Sequence, residues 1–422
     1  MIKTSNTPKV GKLAITPVML AFFIMGFVDL VGTATNYVKP EFNLSDSTAN
    51  LFTTMVFFWF LIFSVPAGIL MNRIGRRKTV LLSIIITLAS MALPVIGYLA
   101  FTDTARLVFV VASFAFLGIG NTFMQVSLNP LLTVFVKGDK LASTLTLGQF
   151  VKAFASLFAP FIASWGFSKL NMWWILFVIY LTVGIVSYVL LVFDKIEEPA
   201  PNTNTTTIIR CLKQLTNPVV LLCFLGIVAH VGVDVGINAQ APRILMAHFP
   251  DVAVNVATNA TMVYFIARMV GCFSGGIVLQ KISNKTGLRI CGAIMTVSAA
   301  CFAVFALSPI NTMQWLFWLA VALIGFGNSN VFSLCLSHAL LAMPDRQNEI
   351  SGLMMMGLIG GAIFPPAMGL AADLIGQIGG ILIMAMGCST FSPSPSATKH
   401  WNVGSNIECP RPLHYHHKWE PA

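Results

Sequence analysis

The sequence predicts an all-α membrane protein of two six-helix bundles, with a truncated twelfth helix. Three observations lead there. Of the 422 residues, 56% are apolar and only 9% charged, whereas about a quarter of a soluble domain is charged. Apolar runs long enough for a bilayer crossing, about 20 residues each, recur along almost the whole chain. Finally, motifs of the first half return in the second at nearly one offset.

The runs place spans at 15–38, 49–72, 78–101, 106–136, 143–167, 172–193, 218–246, 255–281, 288–308, 313–342 and 349–376. A twelfth starts at Ile378 and ends by Cys388. Those eleven residues cover roughly 16 Å, against about 30 Å of hydrocarbon. The chain divides into a first bundle (1–193), a linker (194–217), a second bundle (218–388) and an atypical polar tail (389–422). The linker text EEPAPNTNTTT is polar and proline-containing, as a flexible connection should be. The tail, STFSPSPSATKHWNVGSNIECPRPLHYHHKWEPA, breaks a helix with prolines and serines. A frameshift or misread end near Gly387 would produce such a change. Its His414, His416 and His417 are read as untuned tail rather than as a metal site.

Charge fixes the orientation. The N-terminus and the even loops hold Lys3, Lys9, Lys12, Arg73, Arg76, Arg77, Lys78, Lys137, Lys140, Lys195, Arg210, Lys213, Lys281, Lys285, Arg289 and Arg346. The other side holds Lys39, Arg106, Lys169 and Arg243. Cytoplasmic loops are enriched in Lys and Arg, so the N-terminus and linker are expected in the cytoplasm. The net charge of +10 is thereby assigned to membrane topology, not to nucleic acid. Short loops suit a multi-pass protein of a bacterial inner membrane, working as a monomer. The eight cysteines form no C-x-x-C pair and no Cys/His ligand spacing. They read as small buried hydrophobes, with no metal and no cofactor.

The duplication rests on four matches. GILMNRIGRRK at Gly68 is answered by GIVLQKISNK at Gly276, and GIGNTFMQVSL at Gly118 by GFGNSNVFSL at Gly325. Ala159-Pro160 is answered by Pro365-Pro366, and Asp29 by Asp234. Two parallel six-span repeats with a binding site between them near the bilayer midplane describe the major facilitator architecture. The first of these texts resembles the loop-2 signature of that superfamily, Gly-x-x-x-Asp-Arg-x-Gly-Arg-Arg. Here it reads Gly68, Asn72, Arg73, Gly75, Arg76, Arg77, with Asn72 at the acidic position. The glycine permits close helix approach, and the arginines can bond helix ends or acidic side chains as a gate.

Four further stretches resemble the fucose permease branch, which comprises fucose, galactose and glucose:proton symporters. They are GNTFMQVSLNPLLTVF from Gly120, LGQFVKAFASLFAP from Leu147, NVFSLCLSHAL from Asn330 and GLIGGAIFPPAMGLAAD from Gly357. The resemblance implies a fourth-span Glu four residues before Asn-Pro. Here that position is Gln125, ahead of Asn129-Pro130. The family's first-span Asp aligns near Thr33, one turn beyond Asp29, and its fifth-span Gln is retained as Gln149. Gln125 cannot titrate but can still bond sugar hydroxyls.

Charges within spans are costly and usually face a cavity or a partner. Here they are Asp29, Lys152, Asp234 and Arg268. Asp29 and Asp234 are candidates for ion coupling, and Lys152 and Arg268 for their charge partners, as in an Asp29–Lys152 salt bridge. The candidate substrate-binding residues are Asn36, Asn121, Gln125, Asn129, Gln149, Asn238, Gln240, Asn328 and Asn330. Interhelical hydrogen bonding is the alternative for each. His230 and His338 are read first as packing residues.

The resemblance implies a secondary active importer of a monosaccharide of fucose, galactose or glucose type. It would work by alternating access, coupled to protons or sodium, with the bilayer as its surroundings. No nucleotide-binding loop and no catalytic constellation is present, so an enzyme or primary pump is not expected. An efflux carrier for another small solute and a non-transporting sugar sensor of the same fold remain open.

Overall fold

The computed structural model describes residues 15–390 apart from 45, 137–139, 195, 197, 199–206 and 253. Side chains are described for the same residues except 15, 36, 46–51, 53, 160, 239 and 254–258. The N-terminal lysines, Lys137, Lys195 and the tail beyond Thr390 with its histidines lie outside the described residues.

The described residues form helices and no strands. The first bundle is α1 (Ile15–Met25, a 3-10 turn Gly26–Asp29, then Leu30–Glu41), α2 (Asp46–Ile74), α3 (Arg76–Ala100), α4 (Asp103–Phe135), α5 (Lys140–Leu170) and α6 (Ile175–Phe193). A short helix, Ile208–Leu212, precedes the second bundle. That bundle is α7 (Pro218–His248), α8 (Val254–Val278), α9 (Asn284–Leu307), α10 (Gln314–Asn328 and Val331–Ala342), α11 (Gln347–Met356, a 3-10 turn Gly357–Ile359, then Gly360–Ile375) and α12 (Gln377–Ser389). Among the described residues, eleven helices are long and apolar enough to cross a membrane. The 13 residues of α12 reach about 20 Å, short of the roughly 30 Å of a bilayer core.

The repeat extends to packing. In α4, a Cβ at Gly118 would strike Trp59 and Val56 of α2, and one at Gly120 would strike Thr87 of α3. In α10, Gly325 stands against Tyr264 of α8, and Gly327 against Met295 of α9. The same pair of glycines thus seats the fourth helix of each bundle on the second and third, because bare backbone allows close approach.

Large apolar side chains lie outside: Leu374 is 77% exposed and Phe193 79%. Such a surface suits lipid, whereas a soluble monomer rarely exposes large apolar patches. At the end of the first bundle away from the linker, Tyr37 stacks on Trp173 and Tyr98 on Trp174. Glu41 accepts hydrogen bonds there from Tyr98, Trp173 and Arg106. Aromatic rings with polar tips gather at a membrane–water boundary.

Candidate functional site

Two charged pairs, one in each bundle, form the centre of the candidate site. Asp29 closes the 3-10 turn that interrupts α1. Gly26, which opens that turn, lies so close to α5 that a Cβ would strike the Lys152 carbonyl and Ala155. The contact brings Asp29 onto α5, where it accepts a hydrogen bond from Ser156. Lys152 Nζ stands 3.9 Å from its carboxylate. Helix α1 is flanked by α2, α4, α5 and α6, so its remaining face looks toward the second bundle. On that face the Asp29 side chain is 37% exposed, and a Cβ at Gly32, one turn on, would meet nothing within 4 Å.

In the second bundle Asp234 of α7 is enclosed. It accepts from Arg268 through one carboxylate oxygen and from Tyr264 through the other, both on α8. The Tyr264 oxygen in turn accepts from Asn328 of α10 at 3.2 Å. Asn328 is also bonded to the His230 ring at 2.8 Å and to the His230 carbonyl at 3.1 Å. This chain joins α7, α8 and α10 with no carboxylate oxygen left over.

The two pairs lie at one depth. α5 and α8 run antiparallel, and Ser143 donates to the Gly276 carbonyl. Further in, the rings of Phe150 and Phe273 are 5.3 Å apart. Continuing that pairing along both helices brings Lys152 and Ser156 level with Gly271 and Arg268. Lys152 is near enough for its charge to act on His230 and Cys272 of the second bundle.

The amides divide into three groups. Asn121, Gln125 and Asn129 form a ladder along α4: Asn121 donates to the Met25 carbonyl of α1, Gln125 to Asn121, and Asn129 to the Gln125 carbonyl. In the second bundle Asn330 is wedged against α8, donating to the Gly271 carbonyl, and Gln240 lies beside Gly380 of α12 and Gly369 of α11. Asn238 donates back to the Asp234 carbonyl. Gln149, on α5 three residues before Lys152, is buried. Asn129 Oδ1, Gln149 Nε2 and Asn238 Oδ1 are buried without a hydrogen-bond partner among the described residues, as are Gln240 Oε1 and Asn330 Oδ1. The side chain of Asn36 lies outside the described residues.

A third cluster ties the bundles together at the linker end. Arg76 donates to Asn348 and Gln347 of α11, and to the Pro130 carbonyl and Thr133 of α4. Asn72 donates to Glu349 and accepts from Asn348. Ser351 donates to the Val126 carbonyl. Gly68 and Gly352 bring α2 and α11 into backbone contact, since a Cβ at Gly68 would lie 2.7 Å from the Asn348 carbonyl oxygen. Gly75, with φ +89°, turns the chain into α3. There the Arg76 and Arg77 amides donate to the Glu198 carboxylate at 2.6 and 2.7 Å, an anion on a helix N-terminus. Arg77 also donates to the Leu191 and Val192 carbonyls that end α6. Arg73 points outward, exposed. Among the described residues the bundles are therefore joined at the linker end, while Asp29 and Gly32 stay accessible.

Ser156, Tyr264, Glu198 and the Gln347–Glu349 segment were missed by the sequence reading. The first two had a signal: Ser156 follows Lys152 by four residues and Tyr264 precedes Arg268 by four, so each shares a helix face with its charge. Glu198 had none, because a linker residue's partner is set by the fold alone.

The sequence profile of the Major Facilitator Superfamily matches residues 18–366. A glucose/galactose transporter of Brucella abortus is 25% identical over 392 residues, covering 89% of this chain and 91% of the relative. A putative glucose/galactose transporter of Helicobacter pylori is 26% identical over 414 residues, covering 92% and 94%. Among solved structures, the superfamily transporter FucP in its outward conformation superposes with a TM-score of 0.73 at 17% identity, covering 90% of this chain and 97% of that one. The proton:xylose symporter XylE gives 0.69 at 16% identity, covering 93% and 95%.

Proposed function

The chain belongs to the Major Facilitator Superfamily, and on that premise we propose that it is a secondary carrier importing a monosaccharide. The observation that carries this reading is the pair of charged centres at one depth, one in each bundle, with the hydrogen bonds between the bundles lying, among the described residues, toward the linker end. A solute held between them is reached from the open end. Rocking the bundles about that level would break the Arg76 and Asn72 contacts and open the linker end. The work is positional, and no covalent step is needed.

Support for the cargo comes from the relatives named as glucose/galactose transporters, matched over about nine-tenths of both chains. The buried amides add chemical support. Asn129 and Asn238 offer acceptors and Gln149 a donor without partners, and a sugar presents hydroxyls that are both. Gln240 and Asn330, turned into the second bundle, act in this reading as supports for helix packing. Asp29 is the carboxylate proposed for proton loading, because it is accessible and loosely paired, whereas both oxygens of Asp234 are engaged. The Lys/Arg-rich linker end is assigned to the cytoplasm, in a bacterial inner membrane.

A panel of labelled monosaccharides in proteoliposomes, with and without a pH gradient, tests this. Uptake of one or more sugars above empty liposomes, raised by an inward proton gradient, is expected. Uptake unaffected by the gradient would remove the coupling, and no binding or uptake of any sugar by folded protein would remove the cargo.

A further inference from the structure

Among the described residues, the bonding of the Lys152 charge is limited to one long ion pair with Asp29. An ammonium offers three donors, yet the Lys152 head makes no hydrogen bond among the described residues beyond a 3.9 Å approach to Asp29. The Asp29 oxygen it approaches already takes the Ser156 hydroxyl. The side chain is only 16% exposed, and an underbonded cation in the interior of a spanning bundle is expensive. Arg268 differs: Asp234 engages it directly, and Tyr264 and Asn328 fix that pair.

The charges of the site sum to zero while Asp29 is ionised, two carboxylates against Lys152 and Arg268. Lys152 is the outlier when a proton arrives. Asp29 is faced by Lys152 and Ser156 of α5 and lies within electrostatic reach of Tyr180 of α6. Lys152 is faced by Asp29, and its charge reaches the buried His230 of α7 and Cys272 of α8. Protonation of Asp29 leaves Lys152 as an uncompensated cation in a low-dielectric space. A neutral sugar would leave that charge in place. A sugar carrying one carboxylate would neutralise it, supply the missing acceptors, and travel with the proton as a neutral pair.

We propose that Lys152 is a substrate-contacting, specificity-determining residue and that the cargo is an acidic monosaccharide of the hexuronate type. The proposal rests on the monosaccharide reading above and narrows it. Binding of labelled galacturonate and galactose to the purified full chain in nanodiscs is the test, for the wild type, Lys152→Met and Lys152→Arg, with melting curves as a folding control. The wild type should bind galacturonate about tenfold or more tightly than galactose, the scale of one charge-assisted hydrogen bond. Lys152→Met should lose that margin, galacturonate weakening about tenfold more than galactose, and Lys152→Arg should keep most of it. A merely structural lysine would weaken both sugars alike. Equal or tighter binding of galactose by the wild type, or parallel loss of both in Lys152→Met, overturns the proposal and leaves the sugar reading standing. Binding of neither sugar by folded wild type overturns the proposal, and the monosaccharide reading then stands or falls on the wider sugar panel.

Discussion

Asp29 and Asp234 occupy corresponding spans, yet their surroundings oppose each other. Asp234 is locked to Arg268 and Tyr264, and its loss would strand a buried guanidinium. Asp234→Asn should cost about 3–5 kcal/mol of stability, the usual result of breaking a buried pair, seen as a lower melting temperature in detergent. Asp29 is partly open and loosely held, so Asp29→Asn should leave melting within a degree or two while abolishing pH-driven accumulation and sparing exchange. Equal melting losses in the two variants would contradict the distinction. Gln125 is a further test at this scale. Standing mid-ladder on α4, it should cost about 1–3 kcal/mol of sugar binding when replaced by alanine, through a lost buried hydrogen bond. Calorimetry that finds unchanged affinity removes it from the site. Both in-span aspartates were legible in the sequence because charge within an apolar run is conspicuous. Their difference was not, since it depends on Tyr264 and Ser156 reaching them from other helices.

The helices themselves were readable to within a few residues: a span expected over 78–101 is the helix Arg76–Ala100. Their interruptions were not. The turns at Gly26–Asp29 and Gly357–Ile359 depend on what each glycine meets, the Lys152 carbonyl near one and Ile227 at the other, and apolar periodicity carries no trace of a partner. The loop around Gly68–Arg77 was conspicuous as a motif, but its partners Gln347, Asn348 and Glu349 were fixed only by packing of α2 on α11. The contacts between these elements predict a gate. Arg76→Ala removes bonds to α4 and α11 together, and Gly68→Val drives a side chain into the Asn348 carbonyl. Either should favour opening at the linker end. A cysteine placed at Met355, buried at that junction, should then react about tenfold faster with a membrane-impermeant maleimide applied from the linker side, if the lost bonds are worth about 1.4 kcal/mol. An unchanged rate in both variants would show that these contacts do not hold the end closed.

At the scale of the molecule, the two-bundle plan follows from the repeat, and the short α12 departs from it. Helix α12 packs against α7, α9 and α11, and its 13 described residues cover those neighbours over only part of a bilayer's depth. A version in which the residues after Cys388 continue as an apolar helix should melt higher and express better than this chain. Equal melting and expression would show that the polar continuation is harmless. The central claim is that a monosaccharide crosses the bilayer by exchange between two access states, and counterflow tests it most directly. Proteoliposomes of the lengthened version, preloaded with unlabelled sugar and diluted into labelled galactose, glucose, fucose or galacturonate, should show a transient overshoot of label for at least one of them. Folded protein that binds a sugar yet gives no overshoot with any of the four would contradict the account and leave a sensor in place of a carrier.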